Sequence, residues 1–315
     1  LISMISFVPV SLLVGAKICF KHRFDVINAQ FALPSGLTGM VLAKIFRVPF
    51  ILTFIGGDLF DPTKGTSPHR YGFMRVLIRL IAKSADVRTA ISEDTKKRAQ
   101  DLHKVKGDIE VVPIGLSRPK YEPKSKEELG FDPDRLLCVS VGRLISRKGF
   151  DILLDAWRKI EGVQLVIIGG GREEEKLSRI IKDNNLGDKV RLLGRVSEEK
   201  KWQVLGAADM YVSAAKHEGF GIVFLEAMQA GLPIIATCVG GQTDFLKDNE
   251  NALLVPLDDV EAIREAVGEL MRDESKRFMI GDNNKRKVPK YYFCLLYTSD
   301  AADELDGVDL GGRRI

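Results

Sequence analysis

The sequence predicts a two-domain α/β protein built on parallel sheets, and three observations carry that prediction. Short β-rich runs alternate with helix-length amphipathic stretches nearly throughout, the pattern of parallel sheets covered by helices. Glycine-rich turns follow several of these runs, at the carboxyl ends of strands where ligands of open parallel sheets sit. The chain has 315 residues, 45% of them hydrophobic, enough to fill two cores of ordinary size.

Taken in order, the opening stretch 1–16 is apolar and is followed by Lys17, Lys21, His22 and Arg23. It falls short of the ~18 to 20 residues that span a bilayer, and no basic region precedes it, so it reads as a buried or membrane-apposed helix. Strands are expected at 26–29, 50–54, 86–90 and 109–112, with helices at 37–46, 71–83 and 93–103. Ser92 is placed to cap the last of these. Over 113–133 four prolines and several Lys and Glu replace any apolar period, which reads as an interdomain linker. Alternation resumes with strands at 136–141, 163–168, 190–193, 210–214, 233–236 and 253–255, one complete Rossmann-like domain. The first part has fewer strands, as though its beginning were missing, and the chain starts at Leu1 rather than at Met. From about Lys285 the helical period fails, and residues 291–315, with Cys294 in an adapter-like run, read as a non-native tail. The expected division is 1–116, a linker at 117–133, a second domain at 134–290, and the tail.

A formal charge of +4, from 47 basic and 43 acidic residues, is too even for a nucleic-acid footprint. The mild basic excess suits phosphorylated ligands or an anionic membrane surface. Cys19, Cys138, Cys238 and Cys294 are far apart with no C-x-x-C spacing, so neither a zinc site nor a disulfide framework is indicated, and a reducing cytoplasm is the natural setting.

The most informative segment runs from His217 to Met228. Glu218 and Glu226 bracket the turn Gly219-Phe220-Gly221, which opens a helix of good formers closed by Gly231 and Pro233. A helix start offers unpaired backbone N–H groups and the positive end of the helix dipole, and the glycines remove the Cβ atoms that would keep a phosphate away. A carboxylate on each side accepts hydrogen bonds from hydroxyls. One ligand class uses all of this: a nucleotide-diphosphate sugar.

This segment resembles the E-x7-E signature of glycosyltransferase family 4, retaining enzymes of the GT-B architecture, in which two Rossmann-like domains face across a cleft. The resemblance covers roughly residues 25–272. It implies that Glu226 holds the ribose hydroxyls, Glu218 the donor-sugar hydroxyls, and the amides of Gly221, Ile222 and Val223 the diphosphate. Val141-Gly142-Arg143-Leu144 and Lys148-Gly149 match the family's V-G-R-L and K-G elements, so Arg143 and Lys148 would clamp the diphosphate as negative charge builds on the leaving nucleotide. Together with Glu218 they form the expected catalytic set. Gly142, Gly169, Gly170 and Phe220 would complete the donor site. Gly169-Gly170-Gly171 is not a dinucleotide fingerprint, because the third glycine position is Glu174.

In the first part, 25–36 and 53–58 resemble family segments that face the cleft, giving Gly36, Gly56, Gly57 and Asp58 as cleft candidates. Asn28, Gln30 and Ile55 stand where many relatives have histidine, so no catalytic histidine carries over to Ile55. Asp244 replaces a usual Glu, and Ala252 the glycine of an Asn-Gly turn. Asp132-Pro133-Asp134 satisfies D-x-D but sits among turn residues, and a turn is the reading adopted. The resemblance implies that no metal and no cofactor are needed, cationic side chains and the helix dipole serving the diphosphate instead.

The expected activity is transfer of a sugar from a nucleotide-diphosphate sugar to a glycan, lipid or small-molecule acceptor. No carboxylate nucleophile presents itself, so double displacement is not indicated, and the resemblance implies front-face substitution with a donor phosphate oxygen as base. A nucleotide-sugar epimerase or phosphorylase of the same architecture, and a non-catalytic nucleotide-sugar-binding module, are the alternatives. The setting expected is cytoplasmic, with peripheral membrane contact through the apolar opening and its basic flank.

Overall fold

Phe50, Leu52 and Phe54 alternate with less buried neighbours, and this period of two is realised in one of two separate parallel sheets of the computed structural model. The structure describes residues 2–116 and 120–292. The first three residues of the expected linker and positions 293–315 of the expected tail, Cys294 included, lie outside the described residues.

The first compact unit comprises residues 1–113 together with two later returns of the chain, 216–221 and 239–245. Its elements are α1 (Ile2–Lys21), β1 (Ile27–Gln30), α2 (Leu37–Phe46), β2 (Phe50–Phe54), α3 (Gly72–Ser84), β3 (Val87–Ala90), α4 (Glu93–Asp101) and β4 (Glu110–Val111). The strands are parallel in the order β1-β2-β3-β4, with Ala29 opposite Leu52 and Phe54 opposite Ala90. α3 turns Met74, Ile78, Ile81 and Ala82 inward, the i, i+4, i+7, i+8 face of an amphipathic helix. Each fully buried Ile there contributes about 1.5–3 kcal/mol relative to exposure. Of the two expectations for the opening stretch, a buried or a membrane-apposed helix, α1 does not meet the first: Leu13 is 74% and Phe20 80% exposed. Its apolar residues run around the helix rather than along one stripe, so the helix cannot bury all of them against α2.

The second unit holds 114–215, 222–238 and 246 onward. It contains β5 (Leu136–Val141), α5 (Phe150–Trp157), β6 (Val163–Ile168), α6 (Glu174–Asp183), β7 (Val190–Gly194), α7 (Glu198–Ala207), β8 (Met210–Ser213), α8 (Ile222–Gln229), β9 (Ile234–Thr237), β10 (Leu253–Val255), α9 (Val260–Arg272) and α10 (Glu274–Tyr292). All six strands are parallel, in the order β10-β9-β8-β5-β6-β7. β5 is therefore the switch point, with β6 on one side and β8 on the other. Beyond the carboxyl ends of such neighbours the loops diverge and leave room for a ligand. β6 is buried along its whole length, as a central strand covered on both faces must be.

Two boundaries differ from the sequence reading. The second unit begins at Ile114, and Leu129 and Phe131 of the proline-rich stretch are buried in it. Arg191 stacks over Phe131 at 4.9 Å, and Gln164 bonds the Asp132 backbone from both ends of its amide. A short apolar patch is enough to dock this stretch without any period. At the other end α10 continues to Tyr292, because Ile280, Asn284 and Val288 recur every four residues and are fully buried. The Asn284 amide donates to the carbonyls of Leu232 and Asn251, so a polar residue occupies a core position that hydropathy does not reveal.

Candidate functional site

Backbone crowding dictates the glycines at the strand ends of the second unit. Gly169 has φ +140°, and a Cβ there would lie 1.9 Å from the Gly142 carbonyl oxygen. Gly142 N–H in turn donates to the Ile168 carbonyl at 2.9 Å. Two loops thus cross in backbone contact directly after β5 and β6. A Cβ at Gly142 would stand 3.1 Å from Lys148 Cε and 3.3 Å from its Nζ, so the lysine lies across that glycine. Gly149, at φ +64°, sits against the end of β8, where a Cβ would approach the Ala214 carbonyl oxygen to 2.1 Å. Gly170 packs against Arg195. The structure therefore brings Gly142, Lys148, Gly169 and Gly170 together at the switch point, with the Arg143 side chain exposed beside them.

Glu226 is held from below. It lies on α8 at 7% exposure, and Lys201 Nζ of α7 meets its Oε1 at 2.7 Å while also reaching Glu198 at 2.8 Å. Glu226 Oε2 is buried and has no hydrogen-bond partner among the described residues. Burial raises the Glu226 carboxyl above the ordinary glutamate value, opposed by the Lys201 ammonium. Burial works to lower Lys201, but Glu198 and Glu226 outweigh it and its net shift is upward. The carboxylate thus has one oxygen engaged by Lys201 and one buried oxygen with its acceptor capacity unused. Ile222, at the start of α8, is exposed, and the first-turn N–H groups of a helix have no intrahelical acceptor. Gly221 before it takes φ +92°. Lys201 was not singled out from the sequence, since nothing in its own segment announces a partner on another helix.

Glu218, 6% exposed, belongs to the return 216–221 of the first unit. Three consecutive residues there are tethered. His217 Nε2 lies 3.1 Å from Asp94 Oδ2, the Glu218 carbonyl accepts from Gly241 N–H at 2.8 Å, and the Gly219 carbonyl accepts from the Ser92 hydroxyl at 2.6 Å. Burial alone would raise Asp94, but hydrogen bonds from His217 and Arg98 hold its carboxyl below the usual range. The His217 ring stands edge-on to Phe60 with centroids 5.0 Å apart.

The cleft candidates separate. Gly56, at φ +93°, touches Gly219, where a Cβ would come within 2.8 Å of its Cα, and Gly57 has open space around it. Asp58 is corrected to an internal staple: it is 4% exposed and accepts from Ala32 N–H at 2.6 Å and Ile55 N–H at 3.2 Å. Gly36 is corrected to a packing glycine, its Cβ direction filled by Leu52 and Ile81. Phe220 is corrected likewise, because it is 3% exposed and packs on Phe245 at 5.2 Å. An aromatic is drawn into a core as readily as onto a ligand. Asp132 forms the expected turn, accepting from Asp134 N–H at 3.0 Å.

Two parallel-sheet Rossmann-like units, with glycine crossings at the switch point of the second, define a GT-B protein. Comparison with known proteins agrees. The family described as glycosyl transferases group 1 matches residues 122–287, and glycosyltransferase family 4 matches 4–118. The chain belongs to the group 1 glycosyl transferases of family 4. It is 28% identical over 297 residues to an uncharacterised glycosyltransferase of Methanocaldococcus jannaschii, covering 93% of this chain and 79% of that one. It is 30% identical over 254 residues, 75% of this chain, to a GDP-mannose-dependent α-(1-6)-phosphatidylinositol monomannoside mannosyltransferase of Mycobacterium tuberculosis, and spans 65% of that protein's length. Among solved structures, HepE of Anabaena in complex with UDP and glucose superposes with a TM-score of 0.78 at 20% identity, covering 94% of this chain and 81% of that one. At that identity the likeness is one of fold.

Proposed function

We propose that this protein transfers a sugar from a nucleotide-diphosphate sugar to a glycan, lipid or small-molecule acceptor, with retention at the anomeric carbon. The observation that carries the reading is Glu226 Oε2: a buried carboxylate oxygen without a hydrogen-bond partner among the described residues, one turn into α8, on an acid fixed by Lys201. A polar atom in that state calls for a donor, and a ribose hydroxyl supplies one. In this reading the N–H groups of Gly221, Ile222 and Val223 take the diphosphate, and Glu218 takes the donor-sugar hydroxyls. Arg143 and Lys148 offset the charge that grows as the sugar–phosphate bond breaks. The acceptor hydroxyl attacks from the face the nucleotide leaves, and a donor phosphate oxygen takes its proton. The positive groups do for the diphosphate what a metal would do, and no metal is assigned. The GDP-mannose named for the mycobacterial relative and the UDP and glucose bound to HepE are ligands of the class proposed here.

A cytoplasmic setting with peripheral membrane contact belongs to the same proposal. No helix among the described residues is long and apolar enough to cross a membrane. Phe20 and Leu13 are exposed on α1 beside Lys17 and Lys21, a pairing of apolar and basic groups that suits an anionic lipid surface.

The test is calorimetric titration of the protein with UDP and GDP, followed by donor turnover with UDP-glucose and GDP-mannose. Micromolar binding of one nucleotide and release of it from its sugar support the reading. Binding of neither overturns it.

A further inference from the structure

We propose that Ser92, the cap of α4, and Asp94, in its first turn, are positioning residues for Glu218, holding its loop in the conformation that serves sugar transfer. The functional part of this inference rests on the glycosyltransferase reading above; the geometry does not. Ser92 is fully buried, and its hydroxyl oxygen accepts from Thr95 N–H at 3.0 Å, which caps α4. Capping uses the oxygen and leaves the hydroxyl hydrogen over. That hydrogen faces two acceptors, the Gly219 carbonyl at 2.6 Å and the Thr95 hydroxyl oxygen at 2.8 Å, and the Thr95 hydroxyl itself donates to the Gly219 carbonyl at 3.2 Å, so directly or through Thr95 the Ser92 hydroxyl ties that carbonyl to α4.

A trans peptide is planar, with C=O and the following N–H pointing in opposite directions. Fixing the Gly219 carbonyl toward α4 therefore directs the Phe220 N–H away from α4. The bond from Gly241 N–H to the Glu218 carbonyl, at 2.8 Å, fixes the preceding peptide in the same way and turns Gly219 N–H outward from Gly241. Asp94 holds the side chain just before Glu218, through His217 Nε2 at 3.1 Å, and is itself held by Arg98 Nε at 2.7 Å. Both peptides that follow the Glu218 Cα and the residue ahead of it are thereby set by groups far away in sequence.

Glycine is demanded on each side of this contact. A Cβ on Gly219 would stand 2.4 Å from the Ile55 carbonyl oxygen, and one on Gly241 would stand 2.1 Å from the Gly219 carbonyl oxygen. The loop thus fits α4 and its neighbours by backbone contact, and a shift of the Ser92 hydroxyl would be passed directly to the Glu218 main chain. Misplacement of a reacting group by about 1 Å can cost a hundredfold in rate.

The discriminating variant is Ser92→Gly, because Gly caps a helix almost as well as Ser but has no hydroxyl to donate. Ser92→Thr keeps both functions, and Asp94→Ala removes the His217 contact at a less buried position. Each is compared with the unaltered chain for turnover of UDP-glucose and GDP-mannose, affinity for UDP and GDP, and hydrogen exchange of the amides of 217–221. The expected result for Ser92→Gly and Asp94→Ala is a kcat lowered by about tenfold or more, with nucleotide affinity within about threefold and exchange at 217–221 accelerated by a similar factor. Ser92→Thr restores all three. Unchanged kcat in both variants of a chain that turns over donor overturns the proposal. If the unaltered chain binds neither nucleotide, the donor reading falls, and the exchange of 217–221 alone then decides: equal exchange in Ser92→Gly and the parent refutes the tether.

Discussion

Replacing Glu226 by Gln removes the charge of a buried acid while keeping its shape. Its Oε1 already receives Lys201 Nζ at 2.7 Å, so only Oε2, buried and unpartnered, remains for a ligand. One hydroxyl hydrogen bond to a charged acceptor is worth about 1.5–3 kcal/mol, which corresponds to a dissociation constant raised roughly 10- to 160-fold. Gln keeps an oxygen able to accept, so the loss should fall toward the lower end when the amide oxygen faces the ribose. It should fall toward the upper end when Lys201 captures that oxygen and leaves the NH2 facing the ligand. Lys201→Met in the same background separates the two cases through a double-mutant cycle, because the two residues are in direct contact and their effects should not add. Calorimetric titration with UDP and GDP reads the constants, and circular dichroism confirms that the variants are folded. A folded Glu226→Gln protein with affinity within threefold of the parent would refute the reasoning.

Other consequences follow from single contacts. The buried Asp58 carboxyl is pushed up from 3.8 to about 6, burial outweighing its backbone hydrogen bonds. The native chain therefore holds a proton that the unfolded chain gives up between these values, so stability should fall as pH rises from about 4 to 6, by roughly 3 kcal/mol at most. Urea denaturation across that range checks it, and Asp58→Asn should flatten the slope. Gly169→Ala places a Cβ where the Gly142 carbonyl oxygen stands and should cost more than about 3 kcal/mol, measured as a fall in Tm. Phe220→Leu should cost about 1 kcal/mol of stability through its contact with Phe245, with nucleotide affinity unchanged; a large loss of affinity would return Phe220 to the donor site.

Much of the fold was legible because parallel strands announce themselves locally. The runs at 50–54, 136–141, 163–168 and 253–255 coincide with β2, β5, β6 and β10, since short β-branched, aromatic and aliphatic runs bounded by glycine, proline or polar residues have few other uses. Strand-end glycines were legible for a related reason, because backbone crossings such as Gly142 against Gly169 tolerate no other residue. What escaped depends on chain segments distant in sequence. Lys201 reaches Glu226 only once α7 and α8 are in place. Ser92 was read correctly as a cap, but its reach to the Gly219 carbonyl has no local signature, and neither does the pairing of Asp94 with His217. Asp58 and Phe220 were assigned by their neighbours in a motif, whereas burial was decided by what packs on them from elsewhere.

Crystallisation with UDP or GDP confronts the donor assignment with a position rather than a rate. The diphosphate should lie within hydrogen-bond distance of the Ile222 and Val223 N–H groups, with a ribose hydroxyl donating to Glu226 Oε2. A nucleotide bound away from the start of α8, or a ribose that leaves Glu226 Oε2 without a donor, would contradict the assignment.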